Sequence, residues 1–236
     1  DITYLQSKLI DQHPNIYIYS SKKEFSDFFE NIAIQDSLTE LEVYNLITTS
    51  NEVIKDGHTL FFPSRKWMKN NNLNGLFIPL QPFWDGNKLY VSKNYSLSDE
   101  LQIGAEIVSI NGIESSVLIQ SMLKRMMRDG NNFNYATWVL NTFFYEYFSY
   151  FYGCNEEYVI KIGTGGLEKD LMVKGITKTK LFENVKNNKR VIDKGIYLEI
   201  DKEKSTGILT IKDWHTDVLK SYYKQKFIPE IKKAIK

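Results

Sequence analysis

Asp56-Gly57-His58-Thr59 is the stretch of this chain best suited to chemistry; it follows an apolar-periodic segment and precedes the strand-like Leu60-Phe61-Phe62-Pro63. An imidazole changes protonation near neutral pH, so a histidine held rigidly can act as a general base, a role worth about 10² to 10⁴ in rate. Gly57 falls where a helix of this pattern needs a left-handed residue to stop, which predicts that His58 emerges from a fixed C-terminal turn. The competing use of His58 is structural, because an imidazole at a helix C-terminus interacts favourably with the helix dipole.

The other candidates are weaker. His13 precedes Pro14 and is expected to serve a turn, while His215, after Asp213-Trp214, either caps the last helix or approaches a substrate channel. Three histidines spread this widely, with no carboxylates paired at ligand spacing, predict neither a metal site nor a cofactor. Ser64 and Cys154 are the nearest candidates for a nucleophile, but neither sits in a strand-turn-helix elbow and Cys154 has no basic neighbour to activate it. Cys154 is also the only cysteine, which excludes an internal disulfide, a redox pair and a thiolate zinc site. Gly163-Thr-Gly165-Gly166 lies between two predicted strands with no helix after it, so it reads as a hairpin turn rather than a phosphate loop.

Composition narrows the function classes. The 236 residues are 42% hydrophobic and 14% aromatic, enough for genuine cores. Thirty basic residues against twenty-nine acidic ones give a net charge of +1, which argues against an extended nucleic-acid footprint and for a peptide, protein or small-molecule partner. The most apolar stretch, Trp138 to Tyr152, is too short for a membrane span and contains Asn141 and Glu146. The sequence opens at Asp1 with no basic and apolar leader, so any targeting segment is expected to have been removed or to lie outside it.

The elements that must position His58 can be read from periodicity. Ser21-Lys-Lys-Glu24 is a capping box before a helix bearing Phe25, Phe28, Phe29 and Ile32, and a second helix is predicted from Ser37-Leu-Thr-Glu40 to Gly57. From Leu76 the period shortens. Phe77 to Leu80, the Asp85-Gly86 turn and Lys88 to Ser92 predict a hairpin, and Ile107 to Ile110 a strand closed by Asn111-Gly112. Ser115 or Ser116 is expected to cap the helix that follows, and an aromatic helix then runs over about 134 to 152. That helix is too apolar all round to stand in water; it is expected to pack between domains or to offer a peptide-binding or dimer face. Two strands flank Gly163 to Gly166, a Lys- and Asn-rich linker covers 176–192, and two strands and a helix close the chain.

Taken in order, His13-Pro14-Asn15, Asp56-Gly57-His58-Thr59, the PDZ-like Gly104-Ala-Glu106-Ile-Val-Ser-Ile-Asn111-Gly112 and Gly207-Ile-Leu-Thr-Ile-Lys-Asp-Trp214 resemble the tricorn and C-terminal (tail-specific) processing peptidases. The resemblance is to the branch with an Asp-Gly-His-Thr motif and spans essentially the whole chain. It implies an α+β, multidomain fold. Its parts would be an N-terminal helical domain over 1–66, a PDZ-like domain with a helical insertion over 67–175, a linker over 176–192, and the start of a ClpP/crotonase-like α/β protease domain over 193–236. It also implies an exported serine endopeptidase of the periplasm or cell envelope, acting on peptide or protein substrates, with His58 as general base. Tricorn carries an orienting serine before this histidine, where Gly57 stands here. The family's nucleophilic serine and late acidic partner have no counterpart in this sequence, so the chain alone is expected to be inactive and part of a longer enzyme. The rival reading is a non-catalytic peptide-binding or cell-envelope scaffold; a less favoured third is an exported carbohydrate- or lipid-handling protein.

Overall fold

Polar capping pairs and short apolar stripes make the first part of the chain helical. In the computed structural model, which describes residues 2–33, 37–96, 98–187, 196–201, 203, 206–212 and 216–234, α1 (Ile2–Gln12) is followed by α2 (Lys22–Glu30). Ser21 accepts from the Glu24 N–H while the Glu24 carboxylate accepts from the Ser21 N–H, as the capping box predicts. The next helix, α3 (Glu40–Thr48), opens on the same reciprocal pairing between Thr39 and Glu42, two residues later than expected. It does not reach Gly57. Thr48, Thr49 and Ser50 each turn a hydroxyl onto a carbonyl three residues back, and a single turn, α4 (Asn51–Ile54), follows the break. Ser64 then caps α5 (Arg65–Asn74), accepting from the Trp67 N–H at 3.1 Å. Ile16, Phe25, Phe29 and Ile54 form a small core among the first helices.

The strand region runs β1 (Leu76–Phe77), β2 (Leu80–Trp84), β3 (Leu89–Asn94), β4 (Glu106–Ile110), β5 (Ile113–Glu114), α6 (Ser115–Arg125), α7 (Asn134–Tyr152), β6 (Glu157–Thr164), β7 (Leu167–Lys174), β8 (Ile176–Thr177) and α8 (Lys178–Asn187). An antiparallel sheet has the order β2-β3-β4-β6-β7, with β5 folded back on β4, while β1 pairs separately with β8. Two turns take the left-handed backbone that their residues favour: Asn111 and Gly112 (φ 50° and 78°) join β4 to β5, and Gly165 and Gly166 (φ 61° and 84°) join β6 to β7. The second is the expected hairpin turn. Neither Ser115 nor Ser116 caps α6; Glu114 holds that position, and the Ser115 hydroxyl donates to the Ile107 carbonyl at 2.5 Å, tying the helix to β4.

The aromatic run is a buried helix. Phe144, Phe148 and Phe151 of α7 enter the main core with Phe77, Leu80, Ile107, Ile110 and Tyr158, against the sheet and α3. α7 bends at Phe143 (φ −126°, ψ 33°), where buried Gln81 enters its hydrogen-bond ladder: Nε2 donates to the Leu140 carbonyl at 3.0 Å and Oε1 accepts from the Phe144 N–H at 3.3 Å. One turn away, Asn141 accepts from the Trp84 N–H at 2.7 Å and donates to the Trp84 carbonyl at 3.0 Å, so the side chain acts as a partner for the edge strand β2. Among the described residues no helix is long and apolar enough to cross a membrane.

Residues 1–187 form one compact unit, within which the helical N-terminal region and the sheet region lie together; Phe61 packs against both cores. The predicted linker is corrected over its first part, where β8 and α8 stand. Leu181 is fully buried, Lys178 Nζ lies 2.8 Å from Glu146 Oε1, and Asn184 donates to the Tyr95 carbonyl, so tertiary contacts outweigh weak helical periodicity. Residues 188–192 of that linker lie outside the described residues. The second unit, 188–236, contains the antiparallel pair β9 (Ile196–Asp201) and β10 (Thr206–Ile211), then α9 (Thr216–Tyr222), a π-helical turn at Tyr223–Phe227 and α10 (Ile228–Ala234). The described chain mixes helix and sheet, consistent with an α+β class.

Candidate functional site

The backbone around His58 is set by a turn that ends α4. The left-handed stop expected at Gly57 falls at Lys55 (φ 51°), because the helix closes two residues earlier. Asp56 then organises the exit: its Oδ1 accepts from the His58 N–H at 2.8 Å and from the Thr59 hydroxyl at 3.1 Å. His13 serves a turn, as expected, with Nδ1 accepting from the Asn15 N–H at 3.2 Å; its Nε2 also lies 3.7 Å from Asp56 Oδ1. Burial alone would raise the Asp56 carboxyl, but the hydrogen bonds from His58 and Thr59 and the nearby His13 outweigh it and hold the group below its ordinary value. Leu60 to Pro63 leave this turn as irregular chain, not as the strand their composition suggests.

Gly57 has a different use from the one predicted. A Cβ at this position would stand 2.8 Å from Asp129 Oδ2, and the Gly57 N–H donates to Asp129 Oδ1 at 3.1 Å. The segment between α6 and α7 is thus brought against the His58 turn. Two more bonds fasten it, from the Gly130 N–H to the Lys55 carbonyl at 2.9 Å and from Asn51 Nδ2 to the Arg125 carbonyl at 2.7 Å. Gly130 is itself left-handed (φ 61°) and packs on the Tyr19 ring.

His58 is exposed on the edge of a cavity of about 500 Å³, shared with Leu60, Met127, Arg128, Asp129 and Tyr135. Its imidazole makes no hydrogen bond to the described residues. Arg128 is only 4% exposed, and burial lowers its guanidinium below the ordinary value, with Glu52 opposing the shift.

The nucleophile candidates lie elsewhere. Ser64 is occupied as the cap of α5, and burial pushes the Cys154 thiol up to about 12 while its Sγ sits 3.3 Å from Asn71 Oδ1. No serine lines the His58 cavity among the described residues, and His215 lies outside them. Sequence reasoning passed over Arg128 and Asp129. Only the turn-forming Asp129-Gly130 pair marked the segment, and nothing local links it to Gly57, 72 positions earlier.

No protein-family model matches this chain, and no curated protein matches it. Solved structures similar to it include three of CPAF, a chlamydial serine protease. A point mutant of CPAF is 12% identical with a TM-score of 0.46, over 74% of this chain and 32% of that one. Mature CPAF complexed with lactacystin is 12% identical with a TM-score of 0.45, over 82% and 38% of the two chains. Mature CPAF alone is 11% identical with a TM-score of 0.45, over 89% and 45%. The match spans less than half the length of each of these proteins, and a likeness at these values assigns neither residue roles nor an activity to this chain.

Proposed function

We propose that this chain carries the general-base histidine of an exported serine endopeptidase of the tricorn and C-terminal processing kind, with peptides or proteins as substrates. The observation that supports this most is the exposure of His58 beside a cavity of about 500 Å³, on a backbone turn fixed by both Asp56 and Asp129. In this reading His58 takes the proton of a serine hydroxyl contributed by another part of the whole enzyme. That oxygen attacks the peptide carbonyl, backbone N–H groups stabilise the oxyanion, the C–N bond breaks as His58 returns its proton to the leaving amine, and water, deprotonated by His58, hydrolyses the acyl-serine ester. The antiparallel sheet would act as a PDZ-like module, capturing an extended peptide as an added strand.

In the whole protein, His58→Ala is expected to lower peptide hydrolysis by about 10² to 10⁴, the usual value of general-base help. The unfolding midpoint should stay where it is, because the side chain is exposed and unbonded. Unchanged turnover would overturn the proposal. One observation favours the rival, a peptide-binding scaffold: the Asp56 carboxylate is engaged by backbone, Thr59 and His13, and among the described residues no other acid orients the imidazole. A whole protein that binds peptides and hydrolyses none would support that rival.

A further inference from the structure

The turn that presents His58 is also held from a distant part of the chain. His13 follows the last turn of α1, where its N–H donates to the Leu9 carbonyl at 3.0 Å. Leu5 and Leu9 before it and Ile16 after it pack in the small core with Phe25, Phe29 and Ile54. Pro14 restricts the backbone immediately beyond. The ring is therefore delivered by a packed segment, and the side chain is only 11% exposed.

Its two ring nitrogens have separate duties. Nδ1 accepts from the Asn15 N–H at 3.2 Å, so in this arrangement the ring hydrogen sits on Nε2. Nε2 faces Asp56 Oδ1 at 3.7 Å, longer than a hydrogen bond but near enough for the N–H to attract the carboxylate, whose side chain is 21% exposed and so only partly screened. That same oxygen accepts from the His58 N–H and the Thr59 hydroxyl. Donors from two distant parts of the chain thus converge on one oxygen, and His13 adds to the causes that hold the Asp56 carboxyl low. The Asn15 bond accounts for a turn, but it does not require Nε2 to point at Asp56. Resting on the reading of His58 as general base, we infer that His13 is a positioning residue for it: Nε2–H keeps the Asp56 oxygen on the His58 N–H and so fixes the backbone that presents the imidazole to its cavity.

Two substitutions separate the two nitrogens. In His13→Asn the amide oxygen takes the place of Nδ1 and keeps an acceptor for Asn15, while the donor toward Asp56 is lost. In His13→Gln the amide nitrogen takes the place of Nε2 and keeps that donor, while the acceptor for Asn15 is lost. In the 236-residue chain, His13→Asn should raise the Asp56 carboxyl toward its ordinary value, followed through its carboxyl carbon resonance. It should also speed exchange of the His58 N–H about two- to five-fold, the worth of a partly screened contact. His13→Gln should leave both readings near those of the unsubstituted chain. In the whole protein, His13→Asn should lower kcat for peptide hydrolysis about ten-fold with KM unchanged, because a loosened base is less often in line, and His13→Gln should restore it. The opposite order, with Asn harmless and Gln impaired, means that His13 serves the turn alone and overturns the inference, as does no effect of either change. Should both variants fail to fold, the His13 Nε2 resonance decides: it should differ between the unsubstituted chain and Asp56→Asn, and an identical signal overturns the inference. The exchange and resonance readings need no turnover, so the positioning role can fail while the catalytic reading stands. Unchanged turnover in His58→Ala would instead end the catalytic reading and leave the contact between His13 and Asp56 in place.

Discussion

Gly57 matters for what it lacks. Because a Cβ would stand 2.8 Å from Asp129 Oδ2, Gly57→Ala must turn the Asp129 carboxylate aside and weaken its bond from the Gly57 N–H. The expected cost is about 0.5–1.5 kcal/mol, the worth of one hydrogen bond, read as a lower unfolding midpoint. Combining it with Asp129→Ala removes the obstruction, so the double variant should lose less than the sum of the single changes; strict additivity would count against the contact. Asp56 makes a pH prediction. Its carboxyl titrates below its ordinary value of 3.8 in the folded chain, so the unfolded chain binds more protons there and stability rises with pH. The contribution is present above that value and lost as pH falls below it. Asp56→Asn should therefore destabilise the chain at neutral pH, with a deficit that shrinks on acidification, as urea titrations at several pH values would show. At this scale the sequence displayed His58 and the Ser21 capping box, because each signal lies within a few residues. It did not display Asp129 or Arg128, whose positions follow from long-range packing.

Between elements, the bend of α7 depends on a side chain from a strand. Gln81 occupies the Leu140 carbonyl and the Phe144 N–H where the helical ladder is interrupted. Gln81→Leu keeps the bulk and leaves both groups buried without partners, at an expected cost of about 2–4 kcal/mol, measurable by chemical denaturation. A change below about 0.5 kcal/mol, the size of an ordinary surface substitution, would mean that the bend is independent of Gln81. The aromatic composition of 134–152 correctly predicted a buried helix, and the Asn-Gly and Gly-Gly pairs predicted their turns. The kink was hidden because its cause lies some 60 positions away. The break between α3 and α4 was a misreading of a different kind: Thr48, Thr49 and Ser50 are polar residues in an otherwise regular apolar pattern, and their hydroxyls compete for backbone carbonyls.

For the molecule as a whole, the mixed helix-and-sheet class was legible in the change of apolar period along the chain. Phe61 packs against both hydrophobic cores within 1–187, so those cores should not unfold independently. Residues 1–187 expressed alone are expected to melt in one transition, with circular dichroism and tryptophan fluorescence coinciding; separate transitions would refute a shared core. The treatment of β2 has a further outcome. Asn141 holds both main-chain groups of Trp84, Pro82 has no N–H to offer, and Gln81 donates to the Pro82 carbonyl. That flank cannot accept another strand, whereas β7 pairs on one side only within the sheet. If copies of this sheet ever join strand to strand, the association closes at a pair, because a polymer needs two sticky flanks per copy and this sheet keeps one.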